Sequence, residues 1–243
     1  MPVRGIYTQI LVDGYDLSGQ SNGLEINAQS GQIEVTPFQA TAKQFIQEPV
    51  ESFMTQRGYY SGGSAGDFEK TVYDRLATGS AYITALLNTQ VVACSAYVLP
   101  ATQASELQIQ SPATNVITIN ARWMAGAGMK RGLRLFGGAI TGIGSLAYID
   151  LGAAGILGGF AYLHVTAITG TATNASIAVY SDDNTGFATP TAHGTFTFSA
   201  TGAAQMVIAG TIDRYARLNV ESLGGSGGFT IQGVIAVTGV TMM

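Results

Sequence analysis

At 243 residues the chain is long enough for one large β domain or two modest ones, so the number of domains has to come from the pattern. Only 11% of residues are charged against 47% hydrophobic, and a surface so poor in charge is more often covered by a partner than left in water. The formal net charge of -4 excludes a grip on nucleic acid through clustered Lys and Arg, though not a surface that DNA merely slides past, and the single Cys94 excludes an internal disulfide.

The segment Met1–Gly5 has no basic region leading into an apolar one, so no signal peptide is expected. From Gln9 to Ser18 the chain reads Q-I-L-V-D-G-Y-D-L-S: an apolar run, an Asp13-Gly14 turn signal and a restart, which predicts a β-hairpin. Leu24, Ile26 and Ala28 alternate, as do Ile33 and Val35, and Pro37 ends the second run. Phe38 to Pro49 is polar, irregular and too long for a tight turn; contact with a neighbouring subunit is the economical use for it.

Val50 to Tyr60 predicts a strand with Phe53, Thr55, Arg57 and Tyr59 on one face and Met54, Gln56 and Tyr60 on the other. After the glycine-rich turn at 61–66 the period changes: Phe68, Val72 and Leu76 recur at four-residue steps, with Asp67 placed as N-cap and Gly79 as C-cap. Tyr82 to Leu87 is expected to extend this helical region, and Val91 to Leu99 to form a strand closed by Pro100. Residues 106–111 and 116–123 predict a long antiparallel hairpin.

Ala125 to Gly132, with its glycines, is the expected linker. The apolar stretch from Ile140 to Val165 is broken by Gly142, Gly144, Asp150, Gly152, Gly155 and Gly158-Gly159, which suits strands and turns and not a membrane helix; a soluble protein made inside the cell is expected. Short strands then follow at 147–151, 160–167, 175–181, 194–198, 204–209, 215–221 and 229–237, the pattern of a β-sandwich.

Candidate chemistry is sparse. His164 sits at an alternating position in Tyr162-Leu163-His164-Val165, where a wetted sheet face would place it, and neither it nor His193 stands at metal-ligand spacing to other donors. Asp182-Asp183-Asn184 offers oxygens for calcium but lacks a later carboxylate, so a solvated hairpin tip is the expectation. No G-x-S-x-G is present, the glycine clusters at Gly62 and Gly225 do not precede helices, and Cys94 reads as a buried small hydrophobe. Arg122, Lys130, Arg131 and Arg134 cluster around the linker, to pair with acidic groups of a neighbouring subunit, to dock the two domains together, or as an ordinary charged junction.

V-D-G-Y-D-L-S-G at 12–19, T-A-K-Q-F-I at 41–46, R-G-Y-Y-S-G-G at 57–63, the helix from Asp67 and S-P-A-T-N-V-I-T-I-N-A-R-W at 111–123 resemble, in that order, the major tail tube proteins of long-tailed bacteriophages. F-A-Y-L-H-V-T-A-I-T-G-T at 160–171, Y-S-D-D-N at 180–184, G-T-I-D-R-Y-A-R-L at 210–218 and G-G-F-T-I-Q-G-V-I-A-V at 227–237 look like the outer β-sandwich that follows the tube domain in many of them. The resemblance implies a mainly β chain: a tail-tube β-sandwich or barrel domain with one α-helix over 1–130, then an all-β sandwich over 133–243.

It further implies a non-enzymatic virion structural protein without cofactor or metal, located in the virion tail and assembled in the bacterial cytoplasm. Commonly sixfold rings stack into a tube that conducts DNA during ejection. Partners would be copies of the chain, the tape-measure protein, terminator or baseplate proteins, and viral DNA in transit without sequence-specific binding; no membrane is involved. The loop from Thr36 to Pro49 would reach an adjacent ring, making Phe38, Lys43, Phe45 and Ile46 candidate inter-subunit contacts beside Arg122, Lys130, Arg131 and Arg134. The competing readings are a carbohydrate-binding module, for which only Tyr180 and Phe187 stand near a predicted tip, and a head or neck decoration protein.

Overall fold

A computed structural model describes residues 5–36, 42–48, 50–61, 63–77 and 81–239. Outside them lie Met1–Arg4, Phe38, the Pro37 and Pro49 expected to bound strand and loop, Gly62 of the first glycine cluster, and the expected C-cap Gly79. In chain order the strands are β1 (Gln9–Val12), β2 (Tyr15–Asp16), β3 (Ser21–Gln29), β4 (Gln32–Glu34), β5 (Phe45–Gln47) and β6 (Glu51–Tyr59). Then come helix α1 (Phe68–Ala77), β7 (Ala81–Leu86), β8 (Ser95–Gln110), β9 (Thr118–Ala125), β10 (Lys130–Ile140), β11 (Gly144–Ser145) and β12 (Ile149–Asp150). The last are β13 (Gly159–Gly170), β14 (Asn174–Asp182), β15 (Thr191–Phe198), β16 (Gly202–Ile208), β17 (Tyr215–Gly224) and β18 (Gly227–Val237). The chain is mainly β, with one α-helix among the described residues.

Two compact units interleave along the sequence: one takes residues up to 19, 82–98 and from 130 onward, the other 20–81 and 99–129. The long strand β8 serves both, because Ser95–Val98 pair with β10 while Thr102–Gln110 pair with β9. Most of the expected linker is strand: β9 runs to Ala125 and β10 starts at Lys130. The seven strands expected beyond residue 147 are all present, and β10 is an addition to them.

In the first unit one sheet has the order β16-β13-β18-β10-β8-β7-β1-β2 and the other β11-β17-β14-β15, with β12 also on β17. Both sheets contribute to one apolar core, including Leu135, Leu163, Val165, Ile177, Val179, Leu218, Val220, Phe229 and Ile235. Alternation sends Tyr162, Val234 and Ala236 to a second cluster with Leu11, Leu86 and Val98, which is why β18 is apolar at nearly every position. Tyr82–Leu86 is a strand and not an extension of the helix: Val12↔Ile83 and Ile10↔Ala85 pair it to β1, and apolar residues are wanted on both of its faces. Val91 and Val92 stay exposed in a turn, and the strand expected there begins only at Ser95.

The opening hairpin forms with Asp13 at φ 46° and Gly14 at φ 88°, the left-handed pair of a type I′ turn. Its tip is held inside this unit. Asp13 Oδ1 accepts the Tyr82 N–H at 2.7 Å, and a Cβ on Gly14 would lie 2.5 Å from the Gly202 nitrogen. The Gly14 N–H donates to His164 Nδ1 at 3.3 Å, and His164 Nε2 lies 2.8 Å from Thr84 Oγ1. His164 is therefore fully buried, not on a wetted face; burial lowers its pKa to about 3, so the ring is neutral with its proton on Nε2.

The second unit is a sheet of order β3-β6-β9-β8 with α1 on it. Met54, Ile119, Ala121 and Trp123 are buried on one side of the sheet, and Phe68, Thr71 and Val72 are buried on the helix. Gly58 makes room for the helix, since a Cβ there would meet the Phe68 ring at 2.8 Å. Trp123 Nε1 donates to Gln56 Oε1 at 3.2 Å, and Gln56 Nε2 donates to Ser21 Oγ at 2.7 Å. The helix start is capped from a distance: Gln20 Oε1 accepts the Phe68 N–H at 2.6 Å, while Asp67, the expected N-cap, turns its carboxylate back to the Ser64 N–H at 2.8 Å. Leu76 and Tyr73 remain exposed on the outer side of α1.

Candidate assembly surface

Strand pleating gives the sheet of the second unit an open face opposite its buried one. Along β6 it presents Glu51, Phe53, Thr55, Arg57 and Tyr59, with Ser52, Met54, Gln56 and Gly58 buried. Register places Glu25, Asn27 and Gln29 of β3, Thr118, Asn120 and Arg122 of β9, and Glu106, Gln108 and Gln110 of β8 beside them. The face is thus rich in amides and mixed in charge, with Glu25, Glu51 and Glu106 against Arg57 and Arg122.

Among the described residues both lateral edges of this sheet are open. Among the described residues β3 pairs only with β6 along its nine residues, and Glu106–Gln110 of β8 pair only with β9. Such rows of unpaired backbone groups are a template for another chain. β4 and β5 leave the sheet from its Gln29/Glu51 end as a small hairpin with Ile33 opposite Ile46. The stretch read as wholly irregular therefore carries a strand. Ile33, Val35, Phe45 and Ile46 are all exposed on it, and Lys43 holds Glu34 at 2.8 Å, keeping that carboxyl below its usual pKa with help from Thr36.

The four basic candidates fall in different surroundings. Arg122 stands on β9 in the second unit, its guanidinium 4.1 Å from the Phe53 ring centre and 3.9 Å from Glu51. Lys130, Arg131 and Arg134 are on β10 in the first. Lys130 lies over the Phe160 ring at 5.0 Å, Arg131 is exposed, and Arg134 donates to the carbonyls of Thr89 at 2.8 Å and Gly137 at 3.1 Å.

A serine, a histidine and an aspartate meet in the first unit without a sequence signal to announce them. Ser181 Oγ donates to Asp213 Oδ2 at 2.9 Å, accepts the Asp213 N–H at 2.9 Å, and lies 2.7 Å from His193 Nε2. With the hydroxyl proton committed to the carboxylate, His193 must donate to the serine; a nucleophile would need the reverse. Ser181 is also fully buried, so the group is a clasp between β14, β15 and the Asp213 turn. Burial lowers the His193 pKa, and Asp213 only partly offsets it.

The expected solvated hairpin tip is present, with residues 183–186 exposed between β14 and β15, while Asp182 at its base is buried and braces it: its carboxylate accepts Asn184 Nδ2 at 2.7 Å and the Asn184 and Thr189 N–H groups at 3.1 and 3.3 Å. No group of ionisable residues among those described could hold a metal. Phe187 is buried beneath Arg217, 4.0 Å from its ring centre, so that ring does not stand free for a sugar, and the Tyr180 hydroxyl donates to Glu221 at 3.2 Å. Cys94 is buried as expected, which pushes its thiol pKa up.

No known family profile matches the chain, and no curated protein matches it. Among solved structures it is similar to the tube terminator of an extracellular contractile injection system, at 11% identity and TM-score 0.44, over 54% of this chain and 96% of that one. It is also similar to a chain of a gene transfer agent virion, at 6% and 0.41 over 54% and 98%, and to the SPP1 tail tube, at 15% and 0.40 over 54% and 78%. Every one of these superpositions lies below a TM-score of 0.5, too loose for a role to be taken from it.

Proposed function

We propose that the chain is a structural subunit of a bacteriophage tail tube, polymerising into stacked rings that conduct DNA into the host. One observation carries the reading: the sheet of the second unit has open edges on both β3 and the 106–110 stretch of β8, and a polar open face between them. Pairing the β3 edge of one copy with the β8 edge of the next extends the sheet laterally, hides both rows of unpaired groups, and closes into a ring when the rotation per copy closes. The polar face then lines the channel. Its slight excess of carboxylates suits DNA in transit, which is steered by repulsion and not held.

In this reading residues 20–81 and 99–129 build the wall, within the span 1–130, and residues 133–243 form a β-sandwich that decorates it. The β4–β5 hairpin reaches the adjacent ring, and the tape-measure, terminator and baseplate proteins meet the tube in the virion tail. Negative-stain microscopy of the purified chain tests this. Tubes or stacked rings with a central hole are expected; strict monomers at high concentration overturn it.

A further inference from the structure

We infer that Asn22 is a self-modification site, at which the chain turns a side-chain amide into a carboxylate through attack by the backbone nitrogen of Gly23. An Asn-Gly pair ordinarily marks a two-residue hairpin turn. Here it lies inside β3, where the ladder to β6 runs Ser21↔Gly58 and then Gly23↔Arg57, so that Asn22 is the extra residue of a β-bulge. The bulge leaves it outside the regular pairing. Its side chain is exposed, and among the described residues it has no hydrogen-bond partner.

No other asparagine of the chain precedes a glycine. Several are also held in place: Asn27 donates to Glu25 at 2.7 Å, Asn120 to Gln108 at 3.3 Å and Asn184 to Asp182 at 2.7 Å. Ring closure requires the following backbone nitrogen to swing onto the side-chain carbonyl carbon, and a side chain on that following residue crowds the approach. Gly23 has none, and its backbone is the most permissive of any residue. Even a Cβ placed there would meet only the Arg57 side chain, at 3.6 Å or more.

The Gly23 nitrogen gives up its proton and bonds to Asn22 Cγ, while the side-chain nitrogen leaves with that proton as ammonia, and a cyclic imide closes. Water then opens the imide at one of its carbonyls. Opening at one restores a normal main chain with an aspartate; opening at the other routes the main chain through the side chain as isoaspartate, one methylene longer. The only co-reactant is water. Either product adds a negative charge to β3, and the second also lengthens the backbone of a strand with an open edge.

The inference concerns the single chain and stands apart from the tube reading. The test ages the full-length protein in mildly alkaline buffer, which favours loss of the amide proton. Mass spectrometry follows every asparagine-bearing peptide, and an isoaspartate-specific methyltransferase gives a second readout. Conversion at Asn22 ahead of every other asparagine is expected, with methyl uptake to match. Gly23→Ala should abolish both without lowering the melting temperature, because the added methyl makes only ordinary contact. If Gly23→Ala converts as fast as the parent chain, the backbone nitrogen is not the nucleophile and the inference fails. It fails equally if Asn22 stays an amide in the folded chain and converts only in urea, since the bulge then does not permit the ring to close.

Discussion

Protonating His164 means placing a charge between the Gly14 N–H and Thr84 Oγ1, and burial is the cause of its lowered pKa. Its folded value of about 3 lies below the unfolded 6.5, so the unfolded chain binds the proton first and stability falls as the pH drops from 6.5 towards 3. At pH 4.5 the loss from this group is on the order of a few kcal/mol. Urea denaturation between pH 7 and 4 should show it, and His164→Gln should flatten the slope by about one proton. Gly14→Ala meets both a left-handed φ and the Gly202 backbone, and should cost roughly 3 kcal/mol by the same measurement. The sequence places His164 on the right strand by alternation but says nothing of a hairpin tip arriving from 150 positions away to bury it. Ser181, His193 and Asp213 are invisible for the same reason, since side chains meet across strands whose register the sequence does not state.

At the level of elements, period decides what can be read. β17 alternates and β13, β14 and β18 are apolar runs bounded by glycine-rich or polar turns, so all four are legible, as is the hairpin of β8 and β9. β7 was hidden because both of its faces are buried, and a run such as Tyr82-Ile83-Thr84-Ala85-Leu86 is as apolar as a helix edge. β10 was hidden by its glycines and basic residues, which imitate a junction. The capping of α1 divides the same way: the helix is legible, its Gln20 cap is not. Gln20→Ala should cost about 1 to 2 kcal/mol of unfolding free energy, because a helix N–H loses its acceptor along with the Ser61 hydroxyl. Substitutions on the exposed arm behave oppositely. Ile33→Ser with Ile46→Ser should shift stability by no more than about 0.5 kcal/mol while removing assembly, as read by thermal melting and light scattering.

For the whole molecule the balance of charge on the open face is the quantity to test. Glu25, Glu51 and Glu106 outweigh Arg57 and Arg122, so fluorescence anisotropy should find no duplex DNA binding at physiological salt. Replacing the three glutamates by Gln leaves the two arginines unopposed. Weak binding should then appear, with a log–log salt slope of about -2, one unit for each phosphate contact.

The dependence of the first hairpin on a strand 150 positions downstream also sets an order in time. At about 5 to 20 residues per second a ribosome needs roughly 8 to 30 seconds to pass from Gly14 to His164. Until His164 is made the hairpin tip is held only through β7, while residues 20–81 and 99–129, complete before that point, can close on their own core. The second unit of each copy is thus finished before the chain's own beginning is fully tied down, and synthesis itself presents that sheet first.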